Sequence, residues 1–516
     1  MIRELSTLSP DPNAEARVCV LYPNEYRGMA SNLGIHIVCR LLRDEPGISV
    51  ERSYLPTDAY EDLGPERRLV SLETGTELSR FDVVCVSLQF ELDYPHILEA
   101  LIMGGVPPSR EERGDDHPLI IAGGPCTVNP LPMEPYVDAF YVGEAEATFI
   151  EGIRRVLEAE SRREALEELA DVPGFYVPEH PEETERVAPR SLEDTDPPLI
   201  VFAPESPDLS GLRAYPVELS RGCPHACSFC LGGHTTGDWR CRPLDHLDRI
   251  LRHAERSPYD RAALISATPT AHPDFEEVVE LCSELGLELS LPSLRVDDLD
   301  PDLLPRLREA GVRTLTLAPE SGSEEIREFL NKPIDEDHLL ELVETAGRLG
   351  MRVRLYLIVG VPGFSVEEDA LKSAQLVREC AERAEVSVSV NPLIPKAFTP
   401  LQYLPMLPID EIRRRYRTFS REVNVEVSTE RPELAHAQSL LSRGDRDVAP
   451  ALERVLWRAR SPRAWAKVLE SMEPRIGPES PPEGPEEVPY DFIRVGPSHE
   501  RLHAAYSRLA GLSAPQ

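Results

Sequence analysis

The sequence predicts an α/β protein with three parts: a parallel sheet covered by helices, an incomplete (β/α) barrel of six strand–helix units, and a helical C-terminal extension. Two observations support this prediction. Apolar strands alternate with amphipathic helices in two long series, and a proline- and acid-rich stretch separates the series. Such alternation is typical of parallel sheets with helices on their faces. The predicted boundaries are 1–177 for the first sheet, 178–212 for a linker, 213–408 for the barrel and 409–516 for the extension.

In the first series, short apolar strands end in loops rich in glycine and proline. The segments "ARVCVLYP" (16–23), "FDVVCVSLQ" (81–89) and "PLIIAGGP" (118–125) have the continuous apolar character of buried parallel strands. Between the first two, "SNLGIHIVCRLLRDE" (31–45) has helical apolar spacing, and Ser31 is a candidate N-cap. Ligands on such sheets bind beyond the carboxyl ends of the strands, so the loops after these strands form the expected binding edge.

The second series contains six apolar segments, which predict an incomplete (β/α) barrel. In order they are "YPVELS", "AALISA", "LELSLPSL", "TLTLAPE", "RVRLYLIVG" and "VSVSVNPLIP". After residue 409 the apolar spacing becomes helical, and "EPRIGPESPPEGPEEVP" (473–489) has the composition of a surface loop.

Composition limits the partners and the surroundings of the chain. Of its 516 residues, 41% are hydrophobic and 28% charged, which is ordinary for a soluble globular protein. The net charge of −35 disfavours a nucleic-acid partner, since that contact requires a basic face. The sequence contains no run of about 18 apolar residues, so no membrane span is expected. The N-terminus has no apolar signal-peptide core. We therefore expect a cytoplasmic protein whose ten cysteines are reduced thiols or metal ligands.

Three of these cysteines lie within eight residues, in "ELSRGCPHACSFCLGG", directly after the first barrel strand. Cys223, Cys227 and Cys230 have the spacing C-x3-C-x2-C. Structural zinc usually takes four ligands. The residues nearest in sequence that could complete a zinc set are His225, His234 and Cys241. A [4Fe–4S] cluster, in contrast, can be held by three cysteines with one iron left open for chemistry. Barrel active sites lie at the carboxyl ends of the strands, where this loop begins.

The motif resembles the signature of the radical S-adenosylmethionine (SAM) superfamily, C-x3-C-x-aromatic-C, with Phe229 at the aromatic position. The resemblance implies that Cys223, Cys227 and Cys230 hold the cluster and that SAM binds the open iron through its amino and carboxylate groups. It also implies that one electron, from a donor such as flavodoxin or ferredoxin, cleaves SAM to methionine and a 5′-deoxyadenosyl radical. That radical abstracts hydrogen from a substrate, which the sequence does not identify.

Later strands resemble further SAM-binding segments of this superfamily. The segment "LAPESGSEEIREFLNK" (317–332) resembles the fourth strand and its end, and "LIVGVPGFS" (357–365) resembles the fifth, whose backbone contacts adenine. The segment "NPLIPKAFTPLQ" (391–402) resembles the sixth strand and its exit loop. Lys332 is one of only four lysines; it either belongs to the site or forms a surface salt bridge.

Polar residues at the ends of the second and third strands complete the predicted SAM pocket. Arg295 is expected to pair either with the SAM carboxylate or with Asp297 or Asp298. The usual Gly-Gly-Glu at the second strand is absent, and Ser266 and Thr268 stand where the SAM amino group would bind. The candidate cofactor-binding residues that the resemblance implies are Phe229, Ser266, Thr268, Arg295, Glu320, Ser321, Gly360, Pro362 and Asn391.

The first series resembles the Rossmann-like domain that precedes the barrel in cobalamin-binding radical SAM proteins. The matching segments are "YPNEYRGMASNLGIHIVCRLL", "IIAGGPCTVNPLP" and "VDAFYVGEAEATF". The Asp-x-His-x-x-Gly loop that supplies a histidine to cobalt in some cobalamin proteins is absent, and His36 is expected to pack or to face solvent. The resemblance therefore leaves two alternatives for this domain: a cobalamin site without that histidine, or a scaffold.

Together these features predict a radical SAM enzyme that carries out cobalamin-assisted methyl transfer to an unactivated carbon. One alternative is a cobalamin-independent radical reaction, such as a rearrangement or methylthiolation. Methylthiotransferases carry a second cluster on three N-terminal cysteines, and the chain has Cys19, Cys39, Cys85 and Cys126 in that region. Two of these lie inside predicted strands, which disfavours a shared cluster. An alternative of another class is a non-catalytic iron–sulfur or zinc scaffold.

Overall fold

The computed structural model describes residues 2–56 and 67–511. The chain forms two compact units, each built from separate stretches. The first, here the N-terminal unit, comprises residues 1–216, 444–475 and 489–495, and the second, here the barrel unit, comprises 217–443, 476–488 and 496–516. The region predicted as one C-terminal extension thus contributes to both units, while the predicted domain boundaries stay predictions.

The elements are numbered along the chain. The strands are β1 (Glu4–Ser6), β2 (Ala16–Tyr22), β3 (Ile48–Tyr54), β4 (Val83–Ser87), β5 (Leu119–Gly123), β6 (Ala139–Tyr141), β7 (Phe175–Tyr176), β8 (Thr184–Glu185), β9 (Ala203–Pro204), β10 (Tyr215–Glu218), β11 (Ser220–Arg221), β12 (Arg240–Cys241), β13 (Arg261–Ile265), β14 (Glu288–Ser290), β15 (Thr314–Glu320), β16 (Arg352–Ile358), β17 (Val386–Asn391), β18 (Glu426–Thr429) and β19 (Ile493–Arg494). The α-helices are α1 (Tyr26–Ser31), α2 (Leu33–Arg43), α3 (Tyr94–Met103), α4 (Phe149–Glu158), α5 (Arg162–Ala170), α6 (Gly232–Thr235), α7 (Leu244–Glu255), α8 (Phe275–Glu284), α9 (Leu304–Glu309), α10 (Glu324–Phe329), α11 (Glu336–Arg348), α12 (Lys372–Ala381), α13 (Ile409–Glu422), α14 (Pro432–Arg443), α15 (Ala449–Arg454), α16 (Pro462–Ser471) and α17 (His499–Ala510). In this numbered set, no helix has the length and apolar character to cross a bilayer.

The N-terminal unit is built on a sheet with the strand order β3-β2-β4-β5-β6-β7. Strands β2 to β6 pair in parallel, and β7 is antiparallel to β6. Apolar residues of the central strands, such as Val18, Val83 and Ile121, pack with Ile35 and Leu42 of α2 in one core cluster. The predicted parallel sheet is therefore confirmed, and its order reverses between β2 and β4.

The N-cap of helix α2 lies one residue after the serine predicted to cap the helix. The N-cap is Asn32, whose side chain accepts a hydrogen bond from the Ile35 amide at 3.1 Å. Ser31 instead ends α1, and its hydroxyl donates to the Arg27 carbonyl at 2.8 Å. His36 is fully buried and its ring stacks on Phe202, so it is a packing residue.

The barrel strands form two sheets with the orders β10-β13-β14 and β15-β16-β17-β18, beside the short hairpin β11-β12. A parallel bridge between Leu294 and Leu317 links the end of the third-strand segment to β15. The strands thus follow one another in chain order, as an incomplete (β/α) barrel requires, and among the described strands β10 and β18 do not pair to close it. Strand β18 lies in the segment predicted as helical. It is short, polar and largely exposed, so the sequence has no run of apolar residues there that would predict a strand.

Candidate functional site

The cysteine loop follows the short hairpin strand β11 and ends at α6. Gly222 precedes it with φ +81°, and a Cβ there would lie 2.6 Å from the Asp238 carbonyl oxygen, so the turn requires glycine. Cys227 is buried, whereas Cys223 and Cys230 are half-buried. Burial raises the pKa of the Cys223 and Cys227 thiols, and each also interacts electrostatically with Cys230, which raises the pKa of both further.

Backbone carbonyls of the loop are held by residues from elsewhere in the barrel unit. Nδ2 of Asn331 donates to the Ala226 carbonyl at 2.7 Å, and Nε2 of His234 lies 3.1 Å from the Cys227 carbonyl oxygen. The Ser228 amide donates to the Leu330 carbonyl at 2.9 Å. Sequence reasoning missed Asn331. An asparagine just beyond a helix often ends it with a positive φ, and Asn331, two residues after α10, has φ +51°, so this pattern could have indicated it.

The donor set of this loop fits a [4Fe–4S] cluster. Three cysteines on one loop supply three thiolates, each for a different iron, so their sulfurs need not converge on one point. Within residues 2–56 and 67–511, no three His, Cys, Asp or Glu side chains form a ready-made single-ion site. Two residues considered for a zinc set have other partners: His225 contacts Asp298 and His234 contacts a carbonyl.

Arg295 connects the third-strand segment to the cysteine loop. Its Nε and Nη2 donate to the two carboxylate oxygens of Asp297 at 3.1 and 2.6 Å. Its Nη1 lies 3.3 Å from Sγ of Cys227. Of the expected partners, the structure therefore shows Asp297 and, at 3.7 Å from Nε, Asp298. A pairing with the SAM carboxylate stays a prediction.

The end of β13 joins the same region through a chain of hydrogen bonds. Oγ1 of Thr268 donates to Oδ2 of Asp298 at 2.9 Å, and Nε2 of His225 lies 3.0 Å from the same oxygen. Oγ of Ser266 accepts from the Thr268 amide at 3.1 Å and lies 2.7 Å from Oγ of Ser220. Asp298 thus links the second-strand end to the cysteine loop, a role that the sequence did not indicate.

Strand β15 ends in a buried ion pair. Nζ of Lys332 donates to Oε1 of Glu320 at 2.7 Å, and both side chains are buried. The alternative of a surface salt bridge for Lys332 is therefore wrong, because α10 and the turn after it fold Lys332 back beneath the strand end. Burial raises the pKa of the Glu320 carboxyl, an effect that the Lys332 ammonium opposes. Glu320 has φ +63°, a conformation that non-glycine residues adopt rarely and mainly at constrained sites.

Ser321, directly after Glu320, and Phe229, in the cysteine loop, are both held by contacts within the barrel unit. Ser321 is fully buried, and its hydroxyl accepts from the Ser323 amide at 3.1 Å. Phe229 is half-buried and packs against an apolar cluster that includes Phe329 and Ile358.

The loop after β16 is held by a buried carboxylate. Oδ2 of Asp369 accepts from the Gly360 amide at 2.7 Å and from the Val361 amide at 3.3 Å. Arg415 of α13 donates to the same carboxylate oxygen at 2.5 Å and to the Phe364 carbonyl at 2.7 Å. Gly360 has φ +110°, which glycine alone adopts without strain. Asp369 and Arg415 escaped sequence reasoning because they lie 46 residues apart.

The remaining predicted residues lie at the same edge. Pro362 is buried within the loop after β16, and Asn391 is the exposed last residue of β17. The Asn391 carbonyl accepts from the Val359 amide at 2.9 Å, which ties the fifth strand end to the sixth. The predicted site residues therefore lie at the carboxyl ends of successive barrel strands, and their contacts with SAM stay predictions.

Two family models match the chain. Residues 34–178 match the model described as radical SAM proteins, N-terminal, and residues 217–374 match the radical SAM superfamily. An uncharacterised protein of Methanocaldococcus jannaschii is 28% identical over 446 residues, which cover 84% of this chain and 90% of that protein. A putative methylthiotransferase of the same organism is 26% identical over 326 residues, or 61% of this chain and 68% of that protein.

A solved structure shares the fold over most of the chain. It is that of the radical SAM methyltransferase TsrM from Kitasatospora setae with cobalamin and a [4Fe–4S] cluster bound. The TM-score is 0.55 at 14% sequence identity, and the match covers 89% of this chain and 100% of that chain. At this identity the likeness concerns the fold.

Proposed function

The chain belongs to the radical SAM superfamily, and we propose that it transfers a methyl group from SAM to an unactivated carbon with the help of cobalamin bound to the N-terminal unit. Membership implies a [4Fe–4S] cluster and SAM as cofactors. When bound, they supply a 5′-deoxyadenosyl radical, for which a donor such as flavodoxin or ferredoxin provides the electron.

The observation that carries the radical SAM part of the proposal is the position of the cysteine loop at the carboxyl edge of the barrel strands. Cys223, Cys227 and Cys230 would hold the cluster there. Arg295 places a cation at the Cys227 sulfur, and the loop that begins at Gly360 presents backbone groups at the same edge. These residues bind and orient, while the cofactors carry the reactive chemistry.

The N-terminal sheet supports the cobalamin part of the proposal. Its order reverses between β2 and β4, and ligands of such sheets bind at this point, beyond the carboxyl ends of the strands. Phe90, three residues after the end of β4, is 40% exposed at this edge. Gly124, after β5, approaches the Leu88 carbonyl so closely that a Cβ would lie 2.6 Å away. An exposed aromatic ring beside the glycine end of β5 fits a broad, flat ligand such as a corrin ring.

Methylthiolation is the second candidate, since a putative methylthiotransferase is among the relatives. That reaction would draw on a second cluster in the N-terminal unit. The four cysteines there, Cys19, Cys39, Cys85 and Cys126, are each at most 6% exposed. Three of them belong to strands or a helix of the sheet core, which favours methyl transfer over methylthiolation.

Anaerobic reconstitution tests the radical SAM part of the proposal. Cys230→Ala is expected to abolish both the cluster absorption and SAM cleavage. Cys241→Ala is the matched control, because Cys241 is a half-buried cysteine of β12 outside the motif. Retained SAM cleavage in Cys230→Ala would show that this loop does not hold the cluster.

Hydroxocobalamin tests the cobalamin part separately. After incubation and removal of free cofactor, we expect the absorption spectrum to show one bound cobalamin per chain in addition to the cluster band. A cluster band without cobalamin would refute methyl transfer by this route and leave a cobalamin-independent radical reaction.

A further inference from the structure

One face of the sheet β15–β18 is polar from the amino ends to the middle of its strands. The register places Thr316, Arg354, Ser387 and Glu426 in one row, and Tyr356, Ser389 and Ser428 in the next. Helices α11 and α12 pack on the opposite face, where residues such as Leu355 and Val388 are buried. The polar face is therefore the barrel interior. In closed barrels the interior is filled by branched apolar side chains, whereas here Tyr356 is 36% exposed.

A cavity of about 660 Å³ lies at the amino ends of these strands, opposite the edge that carries the cysteine loop. Its charged lining residues are Arg261, Arg313, Arg352, Arg354, Glu385 and Glu426. Arg261 is paired with Glu288, and Arg313 donates to the Arg308 carbonyl. Arg352 and Arg354 are exposed, and neither side chain forms an ion pair or hydrogen bond with the described part of the chain.

In a chain with 90 acidic and 55 basic residues, most arginines could find a carboxylate partner, yet Arg352 and Arg354 form no ion pair with the described residues. They stand two residues apart on β16, so both point to the same face of the strand. The hydroxyls of Thr316 and Ser387 flank Arg354 in register and add neutral hydrogen-bond donors. Arginine forks match phosphate and carboxylate groups bidentately.

We propose that this cavity binds an anionic group of the substrate, a phosphate or a carboxylate, through Arg352 and Arg354. The identification of the ligand as the substrate rests on the proposed function. Arg354 stands four residues before Ile358, the last residue of β16, which corresponds to about 13 Å along the strand. The substrate is thus an elongated anion whose charged end lies at the amino edge. Its reacting carbon lies near the cysteine edge, and Tyr356 and Ser389 lie on the same face between the two edges.

Calorimetric titration of the full-length protein with inorganic pyrophosphate at low salt tests the site. Arg352→Gln/Arg354→Gln is expected to weaken binding by about tenfold or more, the equivalent of at least about 1.4 kcal/mol, because the charge-assisted contacts of both guanidinium groups are lost. Arg352→Lys/Arg354→Lys keeps both charges and should bind with intermediate affinity. Arg348→Gln is the matched control, because Arg348 is an exposed arginine of α11 outside the cavity.

A parallel titration with citrate distinguishes the two sources of the anion: tighter binding of pyrophosphate indicates a phosphate-bearing substrate, and tighter binding of citrate a carboxylate-bearing one. Equal affinity in the wild type and the double glutamine variant would overturn the proposal, as would the absence of binding for both anions. SAM cleavage by the wild-type enzyme is measured separately. If the protein cleaves SAM but binds neither anion, this inference alone is refuted. If the protein does not cleave SAM, the proposed function is refuted, and the anion titration still shows whether the cavity binds an anion.

Discussion

Nη1 of Arg295 lies 3.3 Å from Sγ of Cys227, while the other two nitrogens of the same guanidinium hold the Asp297 carboxylate. Arg295 is therefore fixed in place before any cofactor binds, with one donor directed at a cysteine sulfur. Hydrogen bonds to sulfur and nearby charge are among the main determinants of iron–sulfur reduction potentials. A cation at this position stabilises the reduced cluster, which carries one more negative charge.

We predict that Arg295→Gln lowers the cluster midpoint potential by about 60 mV, since that shift equals about 1.4 kcal/mol for a one-electron couple. EPR-monitored redox titration of the reconstituted protein gives the value. Asp297→Asn keeps the cation and removes a neighbouring negative charge, so its potential is expected not to fall below that of the wild type. A potential that is the same in wild type and Arg295→Gln would contradict the assigned contact.

We predict that removing one partner of the buried pair Lys332–Glu320 strongly destabilises the barrel unit. Lys332→Met leaves the Glu320 carboxylate buried without its counter-charge, which costs about 3–5 kcal/mol. Lys332→Met/Glu320→Gln should recover most of that loss because no buried charge remains. Thermal unfolding of the apoprotein measures both effects.

An exposed lysine provides the control for this prediction. Lys372 pairs with Glu325 at 3.0 Å, but both side chains are more than 40% exposed. Lys372→Met should therefore change the stability by less than about 1 kcal/mol. Similar losses in Lys332→Met and Lys372→Met would show that burial of the Glu320 pair has little energetic importance.

Asp369 is predicted to control the loop after β16. Burial raises the pKa of its carboxyl, and Arg415 opposes that effect by stabilising the charged form. Asp369→Asn removes this charge pair, so we expect faster hydrogen exchange at the Gly360 and Val361 amides and roughly tenfold weaker SAM binding, the equivalent of about 1.4 kcal/mol.

Glu411→Gln serves as the comparison, because Glu411 contacts Arg415 from a more exposed position. It should leave the exchange of both amides close to that of the wild type. If Asp369→Asn leaves both exchange and SAM affinity unchanged, the carboxylate does not hold the loop.

The sequence predicted those features that depend on local pattern. The parallel sheet, the order of barrel strands and the position of the cysteine loop follow from apolar segments and spacing within a few residues. The wrong prediction of the α2 cap was also a local one. Ser31 and Asn32 are both good N-cap residues, and Asn32 takes that position because Ser31 is the last residue of α1.

The features that were missed depend on contacts between distant residues. Arg415 reaches Asp369 across 46 positions, and Lys332 is buried only because α10 turns it beneath Glu320. The two residues of β19 pair with β8, more than 300 positions away, and so carry no periodic signal. The assignment of residues 444–475 to the N-terminal unit rests on contacts of the same kind.

His36 is predicted to make the stability of the N-terminal unit depend on pH. Burial, with a smaller contribution from the Arg52 charge, lowers its pKa from 6.5 to about 3. The neutral ring has both nitrogens engaged: Nε2 lies 3.1 Å from the Ala30 carbonyl oxygen, and Nδ1 accepts from the Val201 amide at 3.3 Å. Between pH 6.5 and about 3 the unfolded chain binds a proton at this histidine and the folded chain does not. Stability therefore falls as the pH decreases through this window, by up to about 5 kcal/mol.

His36→Gln removes this titration while its amide can still donate and accept. At pH 8 we expect the variant to be less stable than the wild type, because Gln loses the stacking on Phe202. The difference in melting temperature between wild type and His36→Gln should narrow as the pH is lowered to 5, since only the wild type loses stability through protonation of His36 in the unfolded chain. Differential scanning calorimetry at several pH values measures it. A difference that stays constant between pH 8 and pH 5 would mean that the folded protein accepts a proton on His36 as readily as the unfolded chain does.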